Sequence, residues 1–151
     1  MIEILTLTPE MAGEAVDLML EDPIDHRRHF TGLPEDERSF SEMLSAAQRD
    51  SYWMVRVRGD NAGLFMLRGM DAGYSTPAFG VYIRRRYARK GLARLVLAYS
   101  IAWCRLNGVE ELMLTVADDN IAAVWIYEQA GMVFCGEHSA KGHRIYRKKL
   151  A

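Results

Sequence analysis

Ile83 to Leu106 reads IRRRYARKGLARLVLAYSIAWCRL, and no other stretch restricts the fold of this chain as much. A short apolar run ends at Ile83, a basic tract follows, one glycine stands at Gly91, and an apolar-periodic segment runs on. That order predicts a strand, an anion-binding turn and a helix. Arg84, Arg85, Arg86, Arg89, Lys90 and Arg94 crowd the turn, while no acidic residue occurs between Asp71 and Glu110. Cations at a helix N-terminus are electrostatically unfavourable, because the unpaired N–H groups there already carry about half a positive charge. Stability alone gives no reason for Arg89, Lys90 and Arg94 to gather at that end, whereas an anionic ligand does. Gly91 lacks Cβ, so its backbone can approach a bulky ligand closely and adopt positive φ. Small Ala93 keeps the first helical turn open. Leu92, Leu95, Val96, Tyr99, Ala102, Trp103 and Leu106 then follow the spacing of one buried helical face. The spacing of a Walker phosphate loop is missing, and a single glycine does not make a dinucleotide fingerprint.

The chain has 151 residues, half of them hydrophobic and 26% charged, which predicts one soluble globular domain over residues 1 to 151. No apolar run approaches the ~20 residues of a membrane span. The start, MIEILTLTPE, has neither a basic region nor a long apolar core, so no export signal is read. Cys104 and Cys135 do not make a disulfide framework, which fits a reducing cytoplasm. No cluster has metal-ligand spacing, so no metal is assigned. Formal net charge is -1, yet residues 1 to 50 hold twelve acidic and four basic side chains, net -8, against +7 for the remainder. The back half suits an anionic cofactor. The acidic front half reads as solvated surface, with attraction of a cationic amine as the alternative.

Along the chain, Ile2 to Leu7 predicts a strand, and Thr8-Pro9-Glu10 a helix start capped by Thr8. Asp22-Pro23 ends that helix, and 22 to 37 reads as a loop with room for a helical turn. A second helix is expected from Glu37 to Arg49. Tyr52 to Arg58 and Leu64 to Met70 form a hairpin turning through Gly59 to Gly63. Ala78 to Ile83 feeds the basic turn, Asn107-Gly108 closes the long helix, and Leu112 to Ala117 reads as a buried strand. A short helix from Asn120 to Ala130 precedes strands at Met132 to Glu137 and Arg144 to Lys149.

Tyr87-Ala88-Arg89-Lys90-Gly91-Leu92-Ala93 resembles the acyl-CoA pyrophosphate loop of the GCN5-related N-acetyltransferases, the GNAT superfamily, usually Gln/Arg-x-x-Gly-x-Gly/Ala. Gly91 and Ala93 match; Ala88 departs from the pattern at its first position. Asn120, Ala123, Tyr127 and Gly131 fall in register with the superfamily's second motif, Asn-x-x-Ala-x-x-x-Tyr-x-x-x-Gly-Phe, with Met132 replacing the aromatic. The resemblance covers residues 78 to 137 and, by element order, the rest. It implies an α/β GNAT (acyl-CoA N-acyltransferase) fold, a central mixed, mostly antiparallel sheet of six or seven strands flanked by four helices.

The same resemblance implies an N-acetyltransferase that moves an acetyl group from acetyl-CoA to a primary amine by direct attack in a ternary complex. Val81, Tyr82 and Ile83 would hold the pantetheine arm through backbone groups, with a strand N–H on the carbonyl oxyanion. Arg89, Lys90, Gly91, Leu92, Ala93 and Arg94 would cradle the pyrophosphate, and Asn120 and Tyr127 would complete the cofactor site. Tyr127 is the candidate catalytic acid: a phenol near ~10 and a thiol near ~8.5 differ little, so it could protonate the departing sulfur. From its helical face alone, Tyr127 is equally a core residue with its hydroxyl at the rim.

No general base is assigned. Positions where relatives carry a glutamate hold Pro77-Ala78 and Thr115; His26, His29 and His138 could serve by pKa, and Asp25 by charge. A catalytically silent acyl-CoA-binding sensor or assembly module is therefore the alternative. Nucleic-acid binding through the arginine tract is disfavoured by the overall charge and the lack of a stacking set, and no membrane partner is expected. The acceptor, a small molecule or a protein, would meet residues 22 to 37 and the 137 to 143 turn. Oligomeric state is open; exposed final strands often pair in this superfamily, which would give a homodimer.

Overall fold

Seven strands form one sheet in the order β1-β2-β3-β4-β5-β7-β6, and the computed structural model that shows it describes residues 1–138 and 142–150. The strands are β1 (Ile2–Thr6), β2 (Ser51–Val57), β3 (Asp60–Arg68), β4 (Ala78–Ile83), β5 (Glu111–Ala117), β6 (Val133–Glu137) and β7 (His143–Lys149). Every pairing is antiparallel except β4 with β5. Helices α1 (Ala12–Leu20), α2 (Ile24–Arg27) and α3 (Glu37–Ala46) precede β2, α4 (Leu92–Leu106) joins β4 to β5, and α5 (Ile121–Gln129) joins β5 to β6. Strand side chains alternate between faces, so the sheet buries two cores. Trp53, Val55, Phe65, Leu67 and Phe79 pack toward α4 and α5. Tyr52, Met54, Leu64, Met66 and Tyr82 pack toward α1 and α3. Among the described residues no helix is long and apolar enough to cross a membrane.

Several local expectations are corrected. The β2–β3 turn is only Arg58-Gly59, with φ of 51° and 81°, the double positive φ that matches strand twist in a two-residue hairpin. The returning strand therefore starts at Asp60. Thr8 makes no side-chain cap, and Pro9–Met11 is a 3-10 turn; Asp36 does cap α3, accepting from Ser39 N–H at 2.8 Å. The loop 22 to 37 does carry the helical turn it had room for, α2, which adds a fifth helix to the four expected.

The buried face of α4 is also rotated from the expected one. Leu92, Val96, Leu97, Ser100, Ile101 and Cys104 are buried, while Leu95, Tyr99 and Leu106 are exposed. This helix is apolar nearly all round, so two stripes fit the same spacing. Ser100 tolerates the core because its hydroxyl donates to Val96 O at 2.8 Å. On β5, burial alternates, with Leu112, Leu114 and Val116 inside and Met113 and Thr115 more open.

Candidate active site

The site begins where two strands part. β4 and β5 pair only at Ala78 and Met113, with Met113 N–H donating to Pro77 O at 3.0 Å. Beyond that point they diverge and leave an open cleft of about 1400 Å³. Its walls are β4 from Ala78 to Ile83, Met113 to Ala117 of β5, Tyr127 of α5, and His26, Phe30 and Thr31 of the front segment.

Which backbone groups of β4 face this cleft follows from pairing. Arg84 N–H donates to Ala62 O on β3 at 2.8 Å. Hydrogen-bonding direction alternates along an antiparallel pair, so Tyr82 and Gly80 also direct their backbone groups to β3. Val81 and Ile83 direct theirs away from it, toward the gap. Val81 N–H, Val81 C=O and Ile83 N–H are thus an unpaired strand edge inside the protein, ready for an extended ligand. Tyr82, expected to contribute backbone groups there, is corrected: its main chain belongs to the β3 ladder.

The basic turn follows directly. A 3-10 turn at Arg85–Tyr87 leads to Ala88, in extended conformation, then Arg89 at φ 61° and Gly91 at φ 92°. Gly91 is the N-terminal flank of α4 and no side chain caps this end. The first amides of α4, at Leu92, Ala93 and Arg94, lie ahead of the first i to i-4 bond, which Leu95 N–H makes to Gly91 O at 3.0 Å. A methyl at Gly91 would meet nothing within 4 Å, so φ is what requires glycine here.

The arginines are divided between two tasks. Arg84 pairs with Glu21 and lies 3.7 Å from Asp60, and Arg86 pairs with Asp60, as does the Tyr87 hydroxyl. Those two arginines tie the turn to the hairpin and to the end of α1. Arg85 and Arg89 line the cleft. Arg94 lies over the Trp125 ring at 5.7 Å, in a separate groove of about 440 Å³ between α4 and α5. Leu92 buries its side chain in the core, which leaves only its backbone to a ligand.

Tyr127 is buried on the cleft wall, edge-to-face with Phe79 at 6.4 Å between centroids. Its hydroxyl has no hydrogen-bond partner among the described residues. Burial pushes the phenol up to about 12, because the anion would lose its hydration. The close match to a thiol expected for it therefore does not hold: complete proton transfer to a thiolate is uphill, and hydrogen-bond donation to sulfur is what the phenol does well. Asn120 also lines the cleft, but its Oδ1 caps α5, accepting from Ala123 N–H at 3.4 Å.

Sequence reading missed the residue that joins the two halves of the cleft. Asp22 accepts from the Tyr82 hydroxyl at 2.5 Å and from Arg85 N–H at 2.9 Å. Burial, then this bond to Asp22, raises the Tyr82 phenol far above its ordinary range. His26 Nε2 lies 2.7 Å from Ile83 O and 3.6 Å from Asp22 Oδ2. Asp22 had read only as a helix stop before Pro23; nothing local reveals partners some sixty residues away. Of the expected acceptor segments, 22 to 37 supplies His26, His29, Phe30 and Thr31, whereas Ser139 to Lys141 of the second lie outside the described residues. Asp25 is exposed and absent from the cleft wall.

The profile of the Acetyltransferase (GNAT) family matches residues 17–132. No curated protein matches the sequence. Among solved structures, a spermidine N-acetyltransferase from Vibrio cholerae in complex with CoA and spermine superposes with a TM-score of 0.83 at 16% identity, covering 99% of this chain and 95% of that one. A Salmonella typhimurium protein solved with its cofactor acetyl-CoA gives 0.82 at 14% identity, covering 100% and 95%. An acetyltransferase of Streptococcus pneumoniae gives 0.77 at 22% identity, covering 99% of each chain. At these identities the structural matches speak for the fold.

Proposed function

Because this chain belongs to the Acetyltransferase (GNAT) family, we propose that it transfers an acetyl group from acetyl-CoA to a primary amine by direct attack in a ternary complex. The observation that carries this reading is the unpaired β4 edge, Val81 and Ile83, running straight into the uncapped amides of α4. Together they fit a molecule with an amide-bearing arm and a diphosphate. Val81 and Ile83 hold the arm by main-chain bonds, the amides after Gly91 take the diphosphate oxygens, and Arg89 and Lys90 neutralise them. That acetyl-CoA is the cosubstrate is supported by the family and by the relative solved with it.

In the transfer, the amine nitrogen bonds to the thioester carbon, the C–S bond breaks, and the thiolate leaves. A cleft-facing N–H of β4 donates to the carbonyl oxygen as it becomes an oxyanion. Tyr127 donates a hydrogen bond to the departing sulfur, and the thiolate takes up a proton as the amine loses one. Most of the acceleration is assigned to holding amine and thioester in one cleft. The spermidine N-acetyltransferase among the fold relatives supports an amine acceptor. A cytoplasmic location belongs to the same reading, with both cysteines free.

The second reading, an acyl-CoA-binding module without turnover, is favoured by one feature. The cleft-facing stretches of β4 and β5 carry no carboxylate. Calorimetry with acetyl-CoA, followed by mass spectrometry of spermidine, lysine, glucosamine and a peptide with a free α-amine, tests both. Acetylated product is expected. Tight acetyl-CoA binding with no acetylated amine would leave the binding module, and no binding at all would sink both.

A further inference from the structure

The proposed transfer needs a group to take the proton of the incoming ammonium, and the strands that frame the cleft offer none. The proton acceptors that do line it are few. Asp50 uses Oδ1 to accept from Asp71 N–H at 3.0 Å. His29 has Nε2 3.5 Å from Asp119. Glu111, at the start of β5, is not on the cleft wall, and it holds Arg147 at 3.0 Å and the Thr76 hydroxyl at 3.4 Å. Tyr127 is a donor at any working pH.

His26 differs from all of these in being oriented. Its Nε2 lies 2.7 Å from Ile83 O, and a carbonyl oxygen can only accept, so Nε2 carries the hydrogen. In the neutral ring Nδ1 then holds the lone pair. No hydrogen bond to Nδ1 exists among the described residues. The ring lies edge-on to Tyr82, 5.7 Å between centroids, and lines the cleft beside the unpaired edge of β4. Asp22 Oδ2 is 3.6 Å from Nε2, close enough to stabilise the imidazolium that forms when the ring gains a proton. A base held by one group and backed by a carboxylate is the arrangement that proton abstraction requires.

Resting on the acetyl-transfer reading above, we propose that His26, oriented by Ile83 O, is the catalytic base, taking the acceptor's proton on Nδ1 directly or through one water, with the Asp22 carboxylate beside the imidazolium it forms. The ammonium N–H bond breaks and its electron pair stays on nitrogen. The proton moves to Nδ1, and the free amine then attacks the thioester carbon. The imidazolium returns its proton to solvent before the next turnover. Charged and titratable groups around the ring are Asp22 after α1, Asp25, Arg27 and His29 on its own segment, Tyr82 on β4, and Arg84 and Arg85 beyond it.

The test is the pH dependence of kcat/KM for the best amine of the panel at saturating acetyl-CoA. In the wild type it rises with pH along an acidic limb and then levels. His26→Gln can still donate to Ile83 O but cannot take a proton. It is expected to lower kcat/KM by about 10²- to 10⁴-fold, to lose the acidic limb, and to leave the acetyl-CoA Kd and the melting temperature near wild type. His26→Ala should regain turnover on addition of imidazole. Wild-type-like turnover in His26→Gln, or an acidic limb that survives the substitution, overturns the proposal. A wild-type protein that binds acetyl-CoA yet acetylates nothing overturns the transfer reading itself, and this proposal with it.

Discussion

Gly63 stands opposite Ile83 across β3 and β4, next to the bulge at Ala62 that shifts the β2–β3 register. Replacing it with alanine would set a methyl carbon 2.5 Å from Tyr82 O, 2.7 Å from Ile83 Cδ1 and 3.2 Å from Ile83 Cα. The Ile83 tip can rotate away, but the Tyr82 carbonyl cannot, because its direction is set by the β3 ladder. A carbon meets a carbonyl oxygen comfortably at about 3.3 Å. β4 must therefore retreat by roughly 0.8 Å, against a strand spacing of ~4.8 Å. Overpacking costs about 1 to 3 kcal/mol, and a main-chain obstacle argues for the upper end. For a chain of this size ~3 kcal/mol lowers Tm by roughly 6 to 12 °C.

Gly80→Ala is the matched control. Its methyl would also lie at 2.5 Å, but from Met66 Cε, the end of a flexible side chain, so the loss should stay below about 1.5 kcal/mol. Urea titration of both variants measures the difference. Acetyl-CoA calorimetry reports whether the displaced β4 edge still binds, a shift near 1 Å being able to cost about 10²-fold in rate. Gly63→Ala within ~0.5 kcal/mol of wild type, or Gly80→Ala equally damaged, would refute the claim that β4 is held rigidly from its β3 side.

Four further outcomes are expected. Tyr127→Phe should slow amine acetylation by about 10- to 100-fold, milder than loss of a full general acid, and leave acetyl-CoA affinity unchanged; wild-type turnover would remove the phenol from the reaction. With its phenol at about 12, wild-type activity should show no alkaline loss from this group below about pH 10. Buried Cys104, its thiol pushed up to about 11, should resist a thiol reagent in the native protein while exposed Cys135 reacts; two fast thiols before denaturation would contradict the packing of α4. The backbone N–H of Arg49, and then those of Gln48 and Asp50, hold the Asp71 carboxyl below its ordinary value. A depressed native pKa stabilises the fold above the ordinary carboxylate range, and that stability disappears as pH falls through the depressed value. Acid titration of Asp71→Asn should lack this component, and an unchanged acid profile would count against the part these three hydrogen bonds play in stability.

Much of the cofactor half was legible because its signals are local. A glycine that must take positive φ and a run of amides and cations with no acid nearby lie within a few residues of one another, and Asn120 caps α5 through an amide only three residues on. Helix phase was not legible where apolar residues surround α4, because only the sheet decides which stripe it covers. Tyr82 misled for a related reason: strand parity, which decides whether its main chain faces β3 or the cleft, depends on a register that the sequence does not display. Asp22, His26 and Ile83 were unreadable as a set, since a carboxylate, an imidazole and a carbonyl from distant segments meet only after folding. The acceptor half is built almost wholly from such meetings.

Asp22 grips Arg85 at the head of the basic turn and Tyr82 beneath the front segment, and it lies beside His26. A molecule settling against the turn therefore meets main chain held by the same carboxylate that lies beside His26. Asp22 is the side chain through which a ligand at the turn and one beside His26 would be coupled, and any such linkage runs both ways. By whatever factor the first ligand changes the affinity for the second, the second changes the affinity for the first.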